Sequence, residues 1–129
     1  MKLEEIRISC VNVNSINIFK FRALRENAKQ SDIFCMTDTK HNSRSEKKYS
    51  FQNKLSFSSP SEQLNAKGIL IFYNKDLTPS FNEIVKGQLV EMNFTLNSRR
   101  FKINVIYGPP DKDDPNLSLI HISEPTRPY

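Results

Sequence analysis

The chain has 129 residues and a net charge of +5, with 37% hydrophobic and 26% charged residues. Its apolar residues suffice for the core of one domain, and no apolar run approaches the roughly 18 residues that cross a bilayer. No signal peptide opens it, so we expect an intracellular protein, nuclear or cytoplasmic, with no membrane partner. The basic excess favours a polyanionic partner, nucleic acid before others. Cys10 and Cys35 lie in apolar strand-like runs, which predicts free buried thiols rather than a disulfide.

The first third of the chain predicts a strand, a helix and a second strand. The run EIRISCVNVN alternates in polarity and passes into polar Asn12 and Asn14. Apolar residues at helical spacing in SINIFKFRALRENAKQ predict the helix, with Ser15 or Asn17 as its cap. The run DIFCMTD then predicts a buried strand that ends at Asp38. A strand, a helix and a strand of this length form a compact α/β unit.

The remainder of the chain predicts mostly strands. YSFQNKLSF keeps a period of two, KGILIFYNK is heavily apolar, and SFNEIV is a weaker strand candidate. QLVEMNFTL and FKINVIY, joined by the link NSRR, predict a β-hairpin. Arg99 and Arg100 in that link are candidate contacts to a nucleic-acid backbone, with a solvated turn as the equal alternative. Five or six strands and a single clear helix predict a mixed, strand-rich α/β domain.

The end of the chain differs in pattern from everything before it. The residues from Leu117 to Arg127 resemble the conceptual translation of a transposase-type sequencing adapter. We therefore assign residues 1–116 to the native domain, exclude residues 117–129 as non-native, and expect the genuine reading to stop near Asn116. His121 falls in the excluded segment, which leaves His41 as the only histidine to consider. Because His41 lies in a polar stretch, we expect its side chain to be exposed.

Polar side chains at the ends of the first two strands form the candidate site. If these strands run parallel, Asn12 and Asn14 lie beside Asp38 and Lys40, at the sheet edge where α/β proteins bind ligands. An amide and a carboxylate in that place could hold a divalent cation, and Lys40 would face a phosphate. The alternative is that Asn and Asp only end strands in turns, as they commonly do.

Three segments together resemble one known family. ISCVNVNSINIFKFRALRENAKQSDIFCMTDTK is similar to the opening of the endonuclease/exonuclease/phosphatase (DNase I-like) family, above all the apurinic-type endonuclease domain of non-LTR retrotransposons. That opening is a strand ending in Asn-x-Asn or Asn-x-Asp, a helix, and a strand ending in Gln-Glu-Thr-Lys or Gln-Glu-Thr-His. KGILIFYNKDL and VKGQLVEMNFTLNSRRFKINVIYGPPDKDDP resemble its later central strand and its Tyr-Ala-Pro-Asn hairpin. The resemblance covers the N-terminal half of the family domain and implies a partial four-layer α/β sandwich.

The resemblance also implies roles for individual residues. Asn12 falls on the active-site asparagine, and Tyr107 on the tyrosine whose hydroxyl approaches the scissile phosphate. Asp38 falls on the metal-binding glutamate, Asn14 on a position near the metal or phosphate, and Lys40 on a basic position beside the site. The implied reaction is hydrolysis of a DNA phosphodiester, dependent on Mg²⁺ or Mn²⁺ and on no small-molecule cofactor. The implied parent nicks target sites for retrotransposition and continues into a reverse transcriptase domain.

The chain also departs from the family pattern. Asp38 is one methylene shorter than glutamate, Gln88 replaces an arginine, and Pro110 replaces an asparagine. Nothing in residues 1–116 supplies the family's downstream Asp-x-Asn strand end or its Ser-Asp-His ending, because the letters Asp-x-Asn occur there only at Asp114–Asn116, in the acidic stretch after the hairpin. Without the groups that activate water, we expect this chain to be inactive by itself. Two alternatives remain open: a non-catalytic, basic nucleic-acid-binding module, and a truncated reading frame without function.

Overall fold

The computed structural model describes residues 5–61 and 67–108 and the backbone of residues 118–123. In chain order its strands are β1 (Ile8–Asn12), β2 (Ile33–Thr37), β3 (Lys54–Ser59), β4 (Ile69–Asn74), β5 (Ser80–Val85), β6 (Leu89–Leu96), β7 (Arg99–Tyr107) and β8 (Ser118–Ser123). Two short helices, α1 (Ile18–Ala23) and α2 (Arg25–Gln30), separate β1 from β2. Single 3₁₀ turns lie at Glu46–Lys48 and Lys75–Leu77. None of the helices in these ranges is long and apolar enough to span a membrane.

The strands form two four-stranded sheets. The first sheet has the order β1-β2-β4-β3, with β1 parallel to β2 and the other neighbours antiparallel. The second sheet runs β5-β6-β7-β8, with all neighbours antiparallel. The parallel pair confirms the predicted strand-helix-strand unit, because a helical crossover returns the chain in the same direction. The register places Asn12 opposite Thr37.

The core lies between the two sheets. Alternation along β6 and β7 turns every second side chain inward, where it meets the inner faces of β2 and β4. Fully buried members of this core are Ile33, Cys35, Ile69, Ile71, Val90, Met92, Ile103 and Val105. Each isoleucine, valine or methionine side chain among them contributes about 1.5–3 kcal/mol by leaving water. Cys10 and Cys35 are free thiols, as predicted, but only Cys35 is buried and Cys10 is half-buried. Burial raises the pKa of Cys35 well above its ordinary value.

A helical layer covers the outer face of the first sheet. Phe21 and Ala28 on the helices pack against Phe34, Met36 and Phe72. The Asn17 side chain caps α1 by accepting a hydrogen bond from Lys20 N at 2.9 Å, which confirms one of the two predicted caps.

The first part of YSFQNKLSF is not a strand, contrary to its period of two. Tyr49 and Phe51 lie in the segment before β3, and their rings pack on Phe21 with centroids 5.2 and 4.2 Å away. Burial of these aromatic rings against the helical layer outweighs the strand preference of the local pattern.

The β6–β7 hairpin is tighter than its sequence predicted. Its turn consists of Asn97 and Ser98, both with left-handed backbone (φ 51° and 67°), as in a two-residue type I′ turn. Such a turn matches the right-handed twist of the strands, so Arg99 and Arg100 are the first residues of β7 and not part of a four-residue link.

The C-terminal segment excluded on sequence grounds contributes a strand. β8 pairs antiparallel with β7, with Ser118 opposite Tyr107. An unpaired strand edge accepts any extended segment with the right backbone groups, so the pairing leaves the proposed origin of residues 117–129 a prediction. The described residues thus hold eight strands and two short helices, against the five or six strands and one helix predicted.

Candidate active site

Three predicted site residues converge at one rim of the two packed sheets. Asn12 ends β1 and lies opposite Thr37, the residue before Asp38. Tyr107 ends β7 in the other sheet, and its side chain is hydrogen-bonded to that of Asp38. The rim therefore takes groups from both sheets and exists only where they are packed together.

The Asp38 carboxyl is buried in a positively charged setting. It is 6% exposed, and its Oδ2 lies 4.0 Å from Lys40 Nζ. Burial raises the pKa of Asp38, while the charges of Lys40 and Lys20 and the Tyr107 hydrogen bond lower it, and burial has the larger effect. Among the described residues, Asp38 Oδ1 is the one buried side-chain oxygen or nitrogen without a hydrogen-bond partner.

The Tyr107 hydroxyl is the donor in its contact with Asp38. Burial, the negative charge of Asp38 and the hydrogen bond itself all raise the pKa of Tyr107 above its ordinary value. The phenol therefore keeps its proton at neutral pH, and its O–H group donates a hydrogen bond to the carboxylate. The ring is 6% exposed, so packing as well as hydrogen bonding fixes its place.

Hydrogen bonds join Lys40, Asn14 and Asn12 to one another, and the ion pair of Lys40 links them to Asp38. Lys40 Nζ donates to Asn14 Oδ1 at 2.9 Å, and Asn14 N donates to Asn12 Oδ1 at 3.1 Å. Asn12, Asn14, Asp38 and Lys40 thus belong to one connected group at the rim, as the predicted parallel pairing requires.

The backbone at the rim adopts an uncommon conformation. Four non-glycine residues have left-handed φ angles: Asn14 (45°), Ser15 (72°), Asp38 (54°) and Lys40 (55°). Each such residue costs about 1–2 kcal/mol, although Asn and Asp tolerate the region best. Hydrogen bonds from Ser15 N to Asp38 O and from Ile16 N to Thr39 O, each 2.8 Å, hold the two turns together. Backbone strain of this kind clusters at functional sites.

Lys20 is a site residue that the sequence did not indicate. Its Nζ donates to the carbonyl oxygens of Val13, Asn14 and Ser15 at 3.0, 2.8 and 2.9 Å. All three ammonium protons are used on the left-handed turn after β1, and the charge also lowers the pKa of Asp38. Its position three residues after the Asn17 cap was the available signal, since the first turn of the helix packs beside the strand end.

The expectation that His41 is exposed is wrong. The residue is 3% exposed, its Nδ1 contacts Thr39 Oγ1, and its Nε2 lies 2.7 Å from Ser58 Oγ. Ser58 Oγ donates in turn to Glu46 Oε2 at 2.7 Å. Burial lowers the pKa of His41 to about 4, against a smaller opposite effect of Glu46. The polar stretch after β2 folds over β3 and pairs its own polar groups, so its composition misled the prediction.

Gly68 allows the turn after β2 to pack closely. Its φ is +106°, and a Cβ there would overlap Thr39 Oγ1 and lie 3.0 Å from Lys40 N. Thr39 N donates to Gly68 O at 3.2 Å. A residue with a side chain would therefore push the turn that carries Asp38 off β4.

Arg99 and Arg100 lie away from this rim. They begin β7, whereas Tyr107 ends it, and at the ordinary rise of a strand the two ends are about 27 Å apart. The structure separates them from the other predicted site residues, and any contact they make to nucleic acid is independent of Asp38.

The residues at the rim suit a hydrated hard cation better than a closed protein cage. No group of three or more His, Cys, Asp or Glu side chains occurs within the described ranges. Asp38 offers one carboxylate with an unpartnered buried oxygen, and Asn14 Oδ1 contacts the same Lys40 ammonium as that carboxylate. Mg²⁺ keeps several waters and often takes only one or two carboxylates, so this donor set fits it.

No protein-family model and no curated protein matches the chain. Solved structures do. The AP endonuclease LMAP from Leishmania major superposes with a TM-score of 0.62 at 15% identity, covering 79% of this chain and 40% of that one. The APE2 catalytic domain from Xenopus laevis gives 0.58 at 18% identity, covering 85% and 48%.

The chain has a DNase I-like fold. It spans less than half the length of either of these two structures. The DNase I-like fold confirms the predicted mixed, strand-rich α/β class. The retrotransposon branch and the limit to an N-terminal half stay predictions, and Pro110 lies outside the described residues.

Proposed function

We propose that this chain is part of a metal-dependent DNA endonuclease whose site is built on Asp38, Asn12 and Tyr107. The observation that supports it most is the Asp38 carboxylate, which is hydrogen-bonded to Tyr107 and has a second, buried oxygen, Oδ1, without a hydrogen-bond partner. One of the solved structures that the chain resembles, LMAP, is an AP endonuclease by name, which favours DNA over other polyanions. The net charge of +5 agrees with such a partner.

Each residue at the rim has a part in this proposal. Asp38, with Asn14 beside it, would hold a hydrated Mg²⁺ or Mn²⁺, which when bound neutralises charge developing on a phosphodiester. Lys40 places a second positive charge on the same phosphate. Asn12 Oδ1 already accepts from Asn14 N, so its amide NH₂ is the group it presents to a phosphate oxygen. Tyr107 orients the carboxylate.

Activation of water would fall to residues beyond this chain. His41 is committed to its own buried hydrogen bonds and cannot reach a phosphate at the rim without breaking them. We propose that the Asp-x-Asn and Ser-Asp-His motifs follow in a longer reading frame, with a reverse transcriptase domain after them, and that the parent nicks DNA for retrotransposition in the nucleus or cytoplasm. By itself the chain binds DNA and does not turn it over.

Fluorescence anisotropy with a short duplex separates this proposal from a plain basic module. Mg²⁺ is expected to strengthen DNA binding, relative to EDTA, in the wild-type chain. The same result is expected for Asp76→Asn, a control that makes the same substitution at an exposed aspartate. Asp38→Asn is expected to remove the Mg²⁺ effect. Equal affinity with Mg²⁺ and with EDTA, unchanged by Asp38→Asn, would instead favour a non-catalytic nucleic-acid-binding module.

Sequencing through the codons after Asn116 tests the reading frame. We expect the frame to continue into the two downstream motifs and to replace residues 117–129. A stop or frameshift directly after Asn116 would favour a truncated reading frame and would contradict the proposed parent.

A further inference from the structure

Four polar side chains form an unbroken hydrogen-bonded relay under the turn that carries Asp38, with Thr39 and His41 buried and Ser58 and Glu46 half-buried. Thr39 Oγ1 contacts His41 Nδ1, His41 Nε2 lies 2.7 Å from Ser58 Oγ, and Ser58 Oγ donates to Glu46 Oε2 at 2.7 Å. The relay crosses from the loop after β2, through β3, to the 3₁₀ turn at Glu46–Lys48. Thr39 and His41 are 1% and 3% exposed, so bulk water does not compete for their hydrogen bonds.

The direction of every hydrogen bond in the relay follows from its acidic end. At that end Ser58 Oγ donates its one O–H to Glu46 Oε2, so Ser58 Oγ accepts from His41 Nε2–H. With its proton on Nε2, neutral His41 has a lone pair at Nδ1, and Thr39 Oγ1–H donates to that. The relay therefore fixes one tautomer and one ring orientation of His41.

Thr39 is the link between the relay and the site. It lies between Asp38 and Lys40, both in left-handed backbone. Its N–H donates to Gly68 O at 3.2 Å, and its carbonyl accepts from Ile16 N at 2.8 Å. The hydroxyl bond to His41 adds a third constraint, and together these restrict the rotation of the turn that aims the Asp38 carboxyl toward Tyr107.

We propose that the relay of Thr39, His41, Ser58 and Glu46 is the positioning element of the Asp38 turn, with His41 acting as a neutral spacer. None of the four touches the reacting groups, and their effect passes through the orientation of Asp38. The inference rests on the proposed function, because cation binding at Asp38 is one of its two readouts. Groups hydrogen-bonded directly to metal-binding side chains change metal affinity by about 10–100-fold when removed, and the relay, which acts through the neighbouring Thr39, is expected at the lower end of that range.

Two serine variants form a matched test in the full chain. Ser58→Ala removes the contacts to His41 and Glu46. Ser31→Ala removes the contacts of a buried hydroxyl at the far end of β2, to Ser9 Oγ and Asn27 O. Without metal, Ser58→Ala is expected to shift the amide resonances of Asp38 and Lys40, and Ser31→Ala to leave them in place. With Mn²⁺, Ser58→Ala is expected to bind about tenfold more weakly and Ser31→Ala as the wild type does.

A conservative and a non-conservative substitution of Glu46 separate a positioning role of the relay from a general effect on stability. Glu46→Gln keeps an acceptor for Ser58 and is expected to retain the wild-type shifts and Mn²⁺ affinity, while Glu46→Leu is expected to behave as Ser58→Ala. Equal effects of Ser58→Ala and Ser31→Ala, or unchanged Asp38 and Lys40 resonances in Ser58→Ala, would overturn the inference. Absence of Mn²⁺ binding by the wild type would contradict the proposed function alone, because the metal-free resonances still decide the role of the relay.

Discussion

The hydrogen bond between the Tyr107 hydroxyl and the Asp38 carboxylate joins the two sheets at the edge where the candidate site lies. Tyr107 ends a strand of one sheet, and Asp38 follows a strand of the other. No local segment could place these groups together, since 69 positions separate them in the sequence. The site is therefore a product of sheet packing, and its properties report on that packing.

Tyr107→Phe is expected to raise the pKa of Asp38, since the lost hydrogen bond is one of the effects that lower it. The same change should cost roughly 1–3 kcal/mol of stability at neutral pH, as a hydrogen bond to a charged group does. The carboxyl ¹³C resonance of Asp38, followed against pH, measures the first effect. Tyr73→Phe is the control, because burial alone raises the pKa of Tyr73. An Asp38 pKa that is equal in Tyr107→Phe and wild type would contradict the assigned contact.

Asp38→Asn is expected to stabilise the metal-free protein at neutral pH. Burial raises the pKa of Asp38 above the unfolded value of 3.8, so the folded state favours the protonated acid. The stability that this preference gives to the folded state is fully present below pH 3.8 and is lost as pH rises through the folded pKa. At pH 7 the ionised Asp38 therefore lowers the stability of the fold. Thermal melts in EDTA should give a higher Tm for the variant at pH 7 and a smaller difference at pH 3.5. A lower Tm for Asp38→Asn at pH 7 would show that the lysines outweigh burial.

His41 is expected to make the protein sensitive to mild acid. Its folded pKa of about 4 lies below the ordinary 6.5, so the unfolded chain binds the proton more readily. Stability contributed by neutral His41 is complete above pH 6.5 and declines as pH falls toward 4, by about 3 kcal/mol. Unfolding free energies of wild type and His41→Phe, compared across this range, isolate the contribution. Parallel pH curves for the two proteins would mean that His41 is not buried in its neutral form.

Lys20→Met is expected to loosen the turn after β1, because three carbonyl oxygens lose their shared donor. Amide exchange at Ser15 and Ile16 should become faster, since their N–H groups bond across to the Asp38 turn. The Asp38 pKa should also rise, as a nearby positive charge has gone. Lys47→Met, at an exposed position, is the control. Exchange rates equal to those of the control would show that backbone hydrogen bonds alone hold the turn.

Much of the fold was predictable from local pattern. The continuous apolar run of β2 and the alternation of β6 and β7 each predicted the strand that forms there. Parallel pairing of β1 with β2 followed from the helical crossover between them. The meeting of Asn12 and Asp38 followed from the same unit. The length of the β6–β7 turn did not follow, because polarity cannot separate a turn residue from an exposed strand residue such as Arg100.

The rest of the site depended on tertiary contacts that composition does not reveal. His41 lies in one of the most polar stretches of the chain, yet Ser58 and Glu46 supply enough partners to bury it. Lys20 resembles any surface lysine of a helix until the carbonyl groups of the neighbouring turn are placed around it. Ser58 lies 17 positions from His41, so no local window contains that signal. The partners of Lys20 lie only five to seven positions away, and what the sequence did not show was how the turn presents them.

The most direct test of the account is where Mn²⁺ binds on the full chain. Paramagnetic broadening of amide resonances is expected to concentrate at Asn12, Asp38 and Tyr107. Asp38→Asn is expected to abolish it, and Asp76→Asn to leave it unchanged. Broadening that centres on other acidic residues, or that persists in Asp38→Asn, would contradict a cation site at the rim of the two sheets.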